Sequence, residues 1–353
     1  MNVIECNCAT EGLAKTVDLL LRAGRERDSR GGLTLELPDP TAVVFKEPHR
    51  HILHLKGRNE NPLFHLADAL HMLSGRNDVK FLEHFNPRIG LWSDNGMWFN
   101  AAYGQRLRGQ WGDQVNGVIE VLTEDPDSRQ AVMQIWNPRD LQYVTKDKAC
   151  NLTVVFRLKP IRKEGRHSLD MTVFNRSNDV IWGLFGSNVV QFSMLMMFVR
   201  EQLLMRSPRA VAFSDIVLGK YTHVTNCLHG YVESDPWKRT KNALAETSVS
   251  FNGMGPSSCD RAGCRTASQL LMCRQDDLTK LLRFTFTKPE AELDECITSY
   301  FKQTIYRIIN VQNAVNNLNW LEATNLAINL PNRAWQMAVQ RYIDRLQMAD
   351  RDY

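Results

Sequence analysis

The chain has 353 residues, 43% hydrophobic and 23% charged, with net charge +4 and a pI near 8.6. That is an ordinary globular composition, long enough for one large domain or two smaller ones. The mild positive balance argues against nucleic acid as a partner, which calls for clustered basic faces, and suits a small anion held by a few arginines. The longest apolar run, near 192–199, is too short to span a bilayer, so no membrane partner is expected. Neither a basic n-region nor an apolar h-region precedes the first cysteines, and a cytoplasmic location with reduced thiols is the expectation.

In chain order, residues 11–24 have helical spacing, with Leu13, Val17, Leu20 and Leu21 on one face and Gly24 as the stop. Residues 28–32, Asp-Ser-Arg-Gly-Gly, read as a glycine-rich loop in which Arg30 can approach a phosphate. Strands follow at 33–37 and 41–45. Asn61-Pro62 opens a helix whose stripe is Leu63, Leu66, Ala67, Leu70 and Leu73, with Gly75 ending it and Asp68 among apolar neighbours. A short helix starts near Asp78. Residues 88–102 are loop-rich, and one helical stretch is expected from 104 through 122.

The segment 127–151 is the most informative. Its alternation at 131–136 suits a strand with Val132 and Gln134 on one face and Met133 and Ile135 on the other. Cys150 then stands at the start of a second strand, 152–158, paired in a hairpin with 168–175. A cysteine acts as nucleophile only as thiolate, which an arginine stabilises, and Arg129 is the arginine on the earlier strand. Beyond the hairpin come Arg176-Ser177-Asn178-Asp179, then Asn188, then a helix at 189–204 that is apolar nearly all round. Strands are expected at 210–218 and 221–231, the latter carrying His229 and Tyr231. Residues 252–267 read as a linker or insert. Its Cys259 and Cys264 match no standard zinc spacing, and no metal is expected. The C-terminal part is helical, with a helix capped by Asn332 and buried along Trp335, Ala338, Val339, Tyr342, Ile343 and Leu346.

Taken together, Arg129 with Cys150, Arg176 to Asp179, 185–188 and His229 to Tyr231 resemble the thymidylate synthase superfamily. That superfamily includes thymidylate synthases and pyrimidine nucleotide hydroxymethylases, several from bacteriophages; the location would then be a host cytoplasm. The resemblance spans roughly 28–235. It implies an α+β fold, a large mixed sheet packed against helices, with a catalytic domain at 1–285 and a helical extension at 286–353. It implies that Cys150 attacks C6 of a pyrimidine deoxynucleotide monophosphate, and that Tyr103 stands beside it. Arg30, Arg129, Arg176 and Ser177 would hold the phosphate, with Asn178 in the same nucleotide-binding segment. Arg129 would reach across a homodimer into the partner's site. Asn188 would read the O4/N3 edge of the base, and His229 and Tyr231 would bind the sugar hydroxyl. Asp179 would contact both the pyrimidine ring and the co-substrate, 5,10-methylenetetrahydrofolate, which Trp92 and Gly183 would also face. Asp68 falls where the family has a glutamate that organises the catalytic water.

Each of these residues also has a plain structural role open to it. Asn188 is placed to be the N-cap of the 189–204 helix. Arg129 and Arg176 could be surface ion-pair partners, and His229 and Tyr231 ordinary strand residues. The departures from the synthase pattern are Ala149 before the cysteine, Asn151 after it, Asp68 for glutamate, Gln130 for arginine, Ile89 for a tryptophan, and a C-terminus without an apolar tail. They point to water, rather than hydride, capturing the activated one-carbon unit. The expected activity is therefore C5 hydroxymethylation, with dUMP favoured because Asn188 is an amide. Reductive methylation of dUMP, hydroxymethylation of dCMP, and nucleotide binding without turnover are the alternatives.

Overall fold

The computed structural model describes residues 1–161, 166–206, 216–247, 273–286, 292, 298–330 and 333–351. The linker at 252–267, the strand residues 210–215 and the Asn332 cap lie outside them.

The chain opens with β1 (Asn2–Cys6) and α1 (Ala9–Ala23), then a hairpin of β2 (Arg25–Ser29) and β3 (Gly32–Glu36), then β4 (Thr41–Phe45). Helices α2 (Pro62–Leu73), α3 (Val79–Glu83), α4 (Tyr103–Arg108) and α5 (Gln114–Glu124) follow. Next come β5 (Val132–Gln134), β6 (Asn151–Ile161), β7 (Arg166–Asn175), the two-residue β8 (Asn178–Asp179) and α6 (Val189–Arg206). The domain continues with β9 (Ile216–Thr225), β10 (Leu228–Tyr231) and α7 (Asp235–Thr247). Four more described helices close the chain: α8 (Gln275–Arg283), α9 (Ser299–Asn316), α10 (Trp320–Ala327) and α11 (Arg333–Arg351).

Six strands form a mixed sheet in the order β1-β4-β9-β7-β6-β5, and β2-β3-β10-β8 form a smaller one. In the large sheet β1 runs parallel to β4 and β7 parallel to β9, while the other pairs are antiparallel. The inner face carries Val154, Phe156, Leu169, Met171, Val173 and Tyr221, all fully or almost fully buried beneath α1 and α6. Phe45 stacks on Tyr221 there at 5.2 Å. Burying side chains of this size is what drives the sheet and helices together.

Helix α1 buries Leu13, Val17 and Leu20, but Leu21 is half exposed: the apolar stripe is narrower than four leucine-like positions suggest. Asp28 and Ser29 are strand residues rather than loop, so only Arg30 and Gly31 make the turn. The stretch expected as one helix after residue 104 is two, because glycines at 109 and 112 interrupt it, the second at φ +84°. In place of one strand at 221–231 there are two, β9 and β10, each in a different sheet.

The largest correction concerns α6. A π-helical segment, Val180–Asn188, leads into it, so Asn188 is inside a continuous helical run and caps nothing. Asp179 is the N-cap, its carboxylate accepting from the amides of Ile181 (3.2 Å) and Trp182 (2.7 Å). This helical run, Val180–Arg206, is long and apolar enough to cross a bilayer by composition, yet 83% of its most apolar window is buried inside the protein. It is the central core helix.

The last helices pack on the same core. Asn61 Nδ2 donates to the Tyr342 hydroxyl (3.2 Å), Arg345 donates to the Glu60 carbonyl (3.3 Å), and Trp335 lies against His51. Arg76, almost fully buried, donates to the carbonyls of Leu281 and Leu282 at the end of α8.

Candidate active site

Cys150 immediately precedes β6, at the end of a loop that is pinned on several sides. Arg106 and Asp140, both almost fully buried, form a bidentate pair at 2.5 and 2.8 Å, and Asn137 caps the turn before Asp140. Asp94 accepts from the Lys146 amide, and Asp147 accepts from the Ala101 amide, joining this loop to 92–101. Tyr103 sits with its hydroxyl on the backbone of Cys150 and Asn151, and burial raises its pKa. A thiol fixed this way keeps its orientation with little reorganisation.

The arginine at the sulfur is Arg176, not Arg129. Arg176 Nη2 lies 3.6 Å from Cys150 Sγ and 3.2 Å from the Lys148 carbonyl, while Nε donates to the Ala149 carbonyl at 2.8 Å. Its Nη1 donates to Ser177 Oγ (3.1 Å), and its guanidinium lies 5.9 Å over the Trp136 ring. A positively charged donor thus stands beside the sulfur, where it favours a thiolate, and Ser177 extends the donor set outward. Arg129 is exposed in the bend before β5, with no bond recorded to the described residues. Strand β5, which follows it, is an edge of the sheet.

The small sheet brings the next group together. His229 pairs in register with Asp179 across β10 and β8. The His229 and Tyr231 rings meet edge to face at 5.3 Å. The Tyr231 hydroxyl reaches Ser29 and feels Arg30, Asp179 and Cys150. A side chain on Gly31 would collide with that ring, so glycine is required for Tyr231 to close over the Arg30 turn. Burial raises the Asp179 pKa, against its two amide donors and the charges of His229 and Arg58. Its carboxylate is occupied as a helix cap.

Asn178 and Asn188 are joined directly, Asn178 Nδ2 donating to Asn188 Oδ1 at 2.9 Å. Asn188 Nδ2 donates to Gln191 Oε1 at 3.2 Å. Gln191 and Ser187 in turn bond the Asp68 carboxyl, which burial nevertheless pushes up to about 6. Behind Asn178, its Nδ2 lies 2.8 Å from Nε2 of His223, as does Asn175 Nδ2. The His223 Nδ1 is 2.6 Å from the Tyr221 hydroxyl. Gly183 leaves the space that the Asn178 amide oxygen fills; a Cβ there would lie far inside van der Waals contact. Sequence reading singled out neither His223, Asn175 nor Gln191. The alternation of buried and half-buried positions along β9 was the one signal available for His223.

Trp92 is 65% exposed, in a turn of 3-10 helix with Leu91, and Trp98, Tyr143 and Val144 are exposed on the two loops that Asp94 joins. Trp182 is exposed at the start of the helix that Asp179 caps. Exposed aromatic side chains can stack on a flat heteroaromatic ligand.

Comparison with known proteins fits this arrangement. The chain is 38% identical over 217 residues to the deoxyuridylate hydroxymethyltransferase of Bacillus phage SP01. It is 37% identical over 235 residues to the deoxyuridylate hydroxymethyltransferase of Pseudomonas phage M6. These matches take in 58% and 66% of the chain and span only 52% and 62% of the two relatives' lengths. A putative thymidylate synthase of Methanothermobacter marburgensis is 34% identical over 191 residues, 52% of this chain and 78% of that protein. The family profile described as Thymidylate synthase matches residues 20–234, which contain every element that positions Cys150, Arg176, Asn188 and Tyr231. With five of the large sheet's six strands, the small sheet, the capped core helix and the site inside that match, the chain belongs to the thymidylate synthase family.

Proposed function

We propose that this protein hydroxymethylates C5 of dUMP, with methylenetetrahydrofolate as co-substrate. The observation that carries the reading is Cys150 held against the Arg176 guanidinium, with an amide, Asn188, oriented by buried partners nearby. The names borne by the two phage relatives favour the same product.

In this reading Arg176, Ser177 and Arg30 neutralise the nucleotide phosphate, and His229 and Tyr231 take the sugar hydroxyl. Asn178 holds Asn188 against the base edge. The Cys150 sulfur adds to C6, which turns C5 into an enolate carbon able to form a new carbon–carbon bond. The folate supplies a one-carbon unit at the oxidation level of formaldehyde. Trp92, with Asp179 and Gly183 at the neighbouring helix start, lines its cleft; the exposed aromatic rims are the feature that fits it. C5 bonds the folate's methylene carbon; as the C5 proton leaves through water to Asp68, with its raised pKa, the bond from that carbon to the folate nitrogen breaks, tetrahydrofolate departs and an exocyclic methylene is left on C5. Water then adds at the exocyclic carbon, and the C6–sulfur bond breaks as the ring double bond reforms.

A homodimer belongs to the same reading. The outer face of the large sheet carries Val132, Val155, Thr172 and Thr222 in one register row and Thr153, Phe174 and Val224 in the next. Val132 is 47% and Phe174 40% exposed, and apart from Gln134, opposite Thr153, these rows hold apolar and threonine side chains. A second copy covering this face would bring Arg129, just before the edge strand, toward its site. Residues 1–285 then form the catalytic unit and 286–353 an extension braced on it.

The test is mass spectrometry of the product after incubation with dUMP or dCMP and methylenetetrahydrofolate. A dUMP product heavier by one hydroxymethyl group is expected. A methyl product with dihydrofolate would make it a synthase, and the reading would be abandoned. Cys150→Ser is expected to abolish turnover while dUMP still binds.

A further inference from the structure

The polar chain behind Asn188 has a direction, and its ends decide it. Asn175 Nδ2 donates to the Val224 carbonyl at 3.2 Å and lies 2.8 Å from His223 Nε2. A carbonyl only accepts, so the nitrogen of Asn175 must face inward, and Nε2 must accept from it. The imidazole proton is then on Nδ1, against the Tyr221 hydroxyl. Because Nε2 accepts, Asn178 must also turn its nitrogen toward it, and the second proton of that nitrogen goes to Asn188 Oδ1. From the other end, the Asp68 carboxylate accepts from Gln191, whose Oε1 is thereby turned to accept from Asn188 Nδ2. Both ends dictate the same orientation of the Asn188 amide. Reversing it would set nitrogen against nitrogen at Asn178 and oxygen against oxygen at Gln191.

Nothing competes with these bonds. His223 is 0%, Asn178 2%, Asn175 3%, Asn188 5% and Gln191 6% exposed. Inside the protein an unmatched polar contact cannot be exchanged for water. The orientation matters because the two pyrimidines present opposite edges. Uracil offers a donor at N3 and an acceptor at O4; cytosine offers an acceptor at N3 and a donor at N4. A freely turning amide serves both, whereas a fixed one serves only one.

We infer that His223 and Asn175 are positioning residues that hold the Asn188 amide in one orientation and so set which pyrimidine the site prefers. This rests on the reading of Asn188 as the base-reading residue.

The experiment is equilibrium binding of dUMP and of dCMP to the full chain and its variants, with turnover measured separately. The wild type is expected to prefer dUMP. His223→Leu and Asn175→Ala are expected to shrink the dUMP to dCMP preference by roughly tenfold. His223→Gln, whose Oε1 accepts where Nε2 did, should keep it. A merely structural role predicts equal loss for both nucleotides in all three variants, and that result would overturn the inference. Should His223→Leu fail to fold, Asn175→Ala and the imidazole 15N resonances of the wild type decide: a proton on Nδ1 supports the lock, a proton on Nε2 refutes it. A wild type that discriminates between the nucleotides but makes no hydroxymethyl product would reject the proposed activity and leave this inference standing. One that binds neither would end both.

Discussion

If Asp68 acts as proposed, it serves stability and chemistry in opposite senses. Its carboxyl ionises near 3.8 when solvated and is pushed up to about 6 by burial, despite its bonds to Ser187 and Gln191. Between those values the unfolded chain has lost a proton that the folded chain keeps. Stability contributed at this site therefore falls as pH rises from about 4 to about 6 and is level above that. Comparing melting curves of wild type and Asp68→Asn across this range should show the variant gaining on the wild type as pH rises. Turnover should run the other way, increasing through about pH 6 in the wild type, with that limb absent in Asp68→Asn. Gly183 gives a second test at this scale. Gly183→Ala must displace the buried Asn178 amide. A loss of about 1–3 kcal/mol in chemical denaturation is expected, together with weaker dUMP binding.

Among the elements, the π-helical start of the core helix links packing to the site. Six of its nine residues are buried, and the amides of Ile181 and Trp182 are satisfied by the Asp179 carboxylate. Asp179→Ala should cost about 1–2 kcal/mol, whereas Asp179→Asn, which keeps an acceptor at the cap, should cost much less. Urea titrations of the two variants distinguish this from a role confined to ligand binding, where both would melt as the wild type does. The loop carrying Cys150 depends similarly on the Arg106–Asp140 pair. Arg106→Met would strand a buried carboxylate, and a loss of roughly 3–5 kcal/mol is expected, read from the same titrations.

For the whole molecule, the open face of the large sheet and the C-terminal helices are the features outside one copy's active site that matter. Phe174→Asp places a charge in the middle of the apolar face. Sedimentation should show the wild type as a dimer and this variant shifted toward monomer, with activity falling in parallel as Arg129 loses its partner's site. The buried side chains of α11, Trp335, Val339 and Ile343, belong to the same continuous core as α2 and α6. The C-terminal helices therefore brace the helix that carries Asp68.

The sequence by itself carried the strands at 41–45 and in the 151–175 hairpin, the helix opened by Asn61-Pro62, and the order of the site motifs. These are local: period, caps and turn residues lie within a few positions of one another. Two glycines splitting α4 from α5 were equally local and should have been read. What only the tertiary structure decided depends on groups far apart in the chain. Arg176 rather than Arg129 reaches Cys150 because β6 and β7 pair in register and Arg176 leaves the end of one beside the start of the other. Asp179 rather than Asn188 caps the core helix, because the apolar run gives no sign that the helix begins nine residues earlier, in a π-helical segment. His223 meets Asn175 and Asn178 across strands 48 and 45 residues apart. A buried histidine and a solvated one look alike in a sequence; their hydrogen-bond partners, and so the direction of the polar chain behind Asn188, exist only once the sheet has formed.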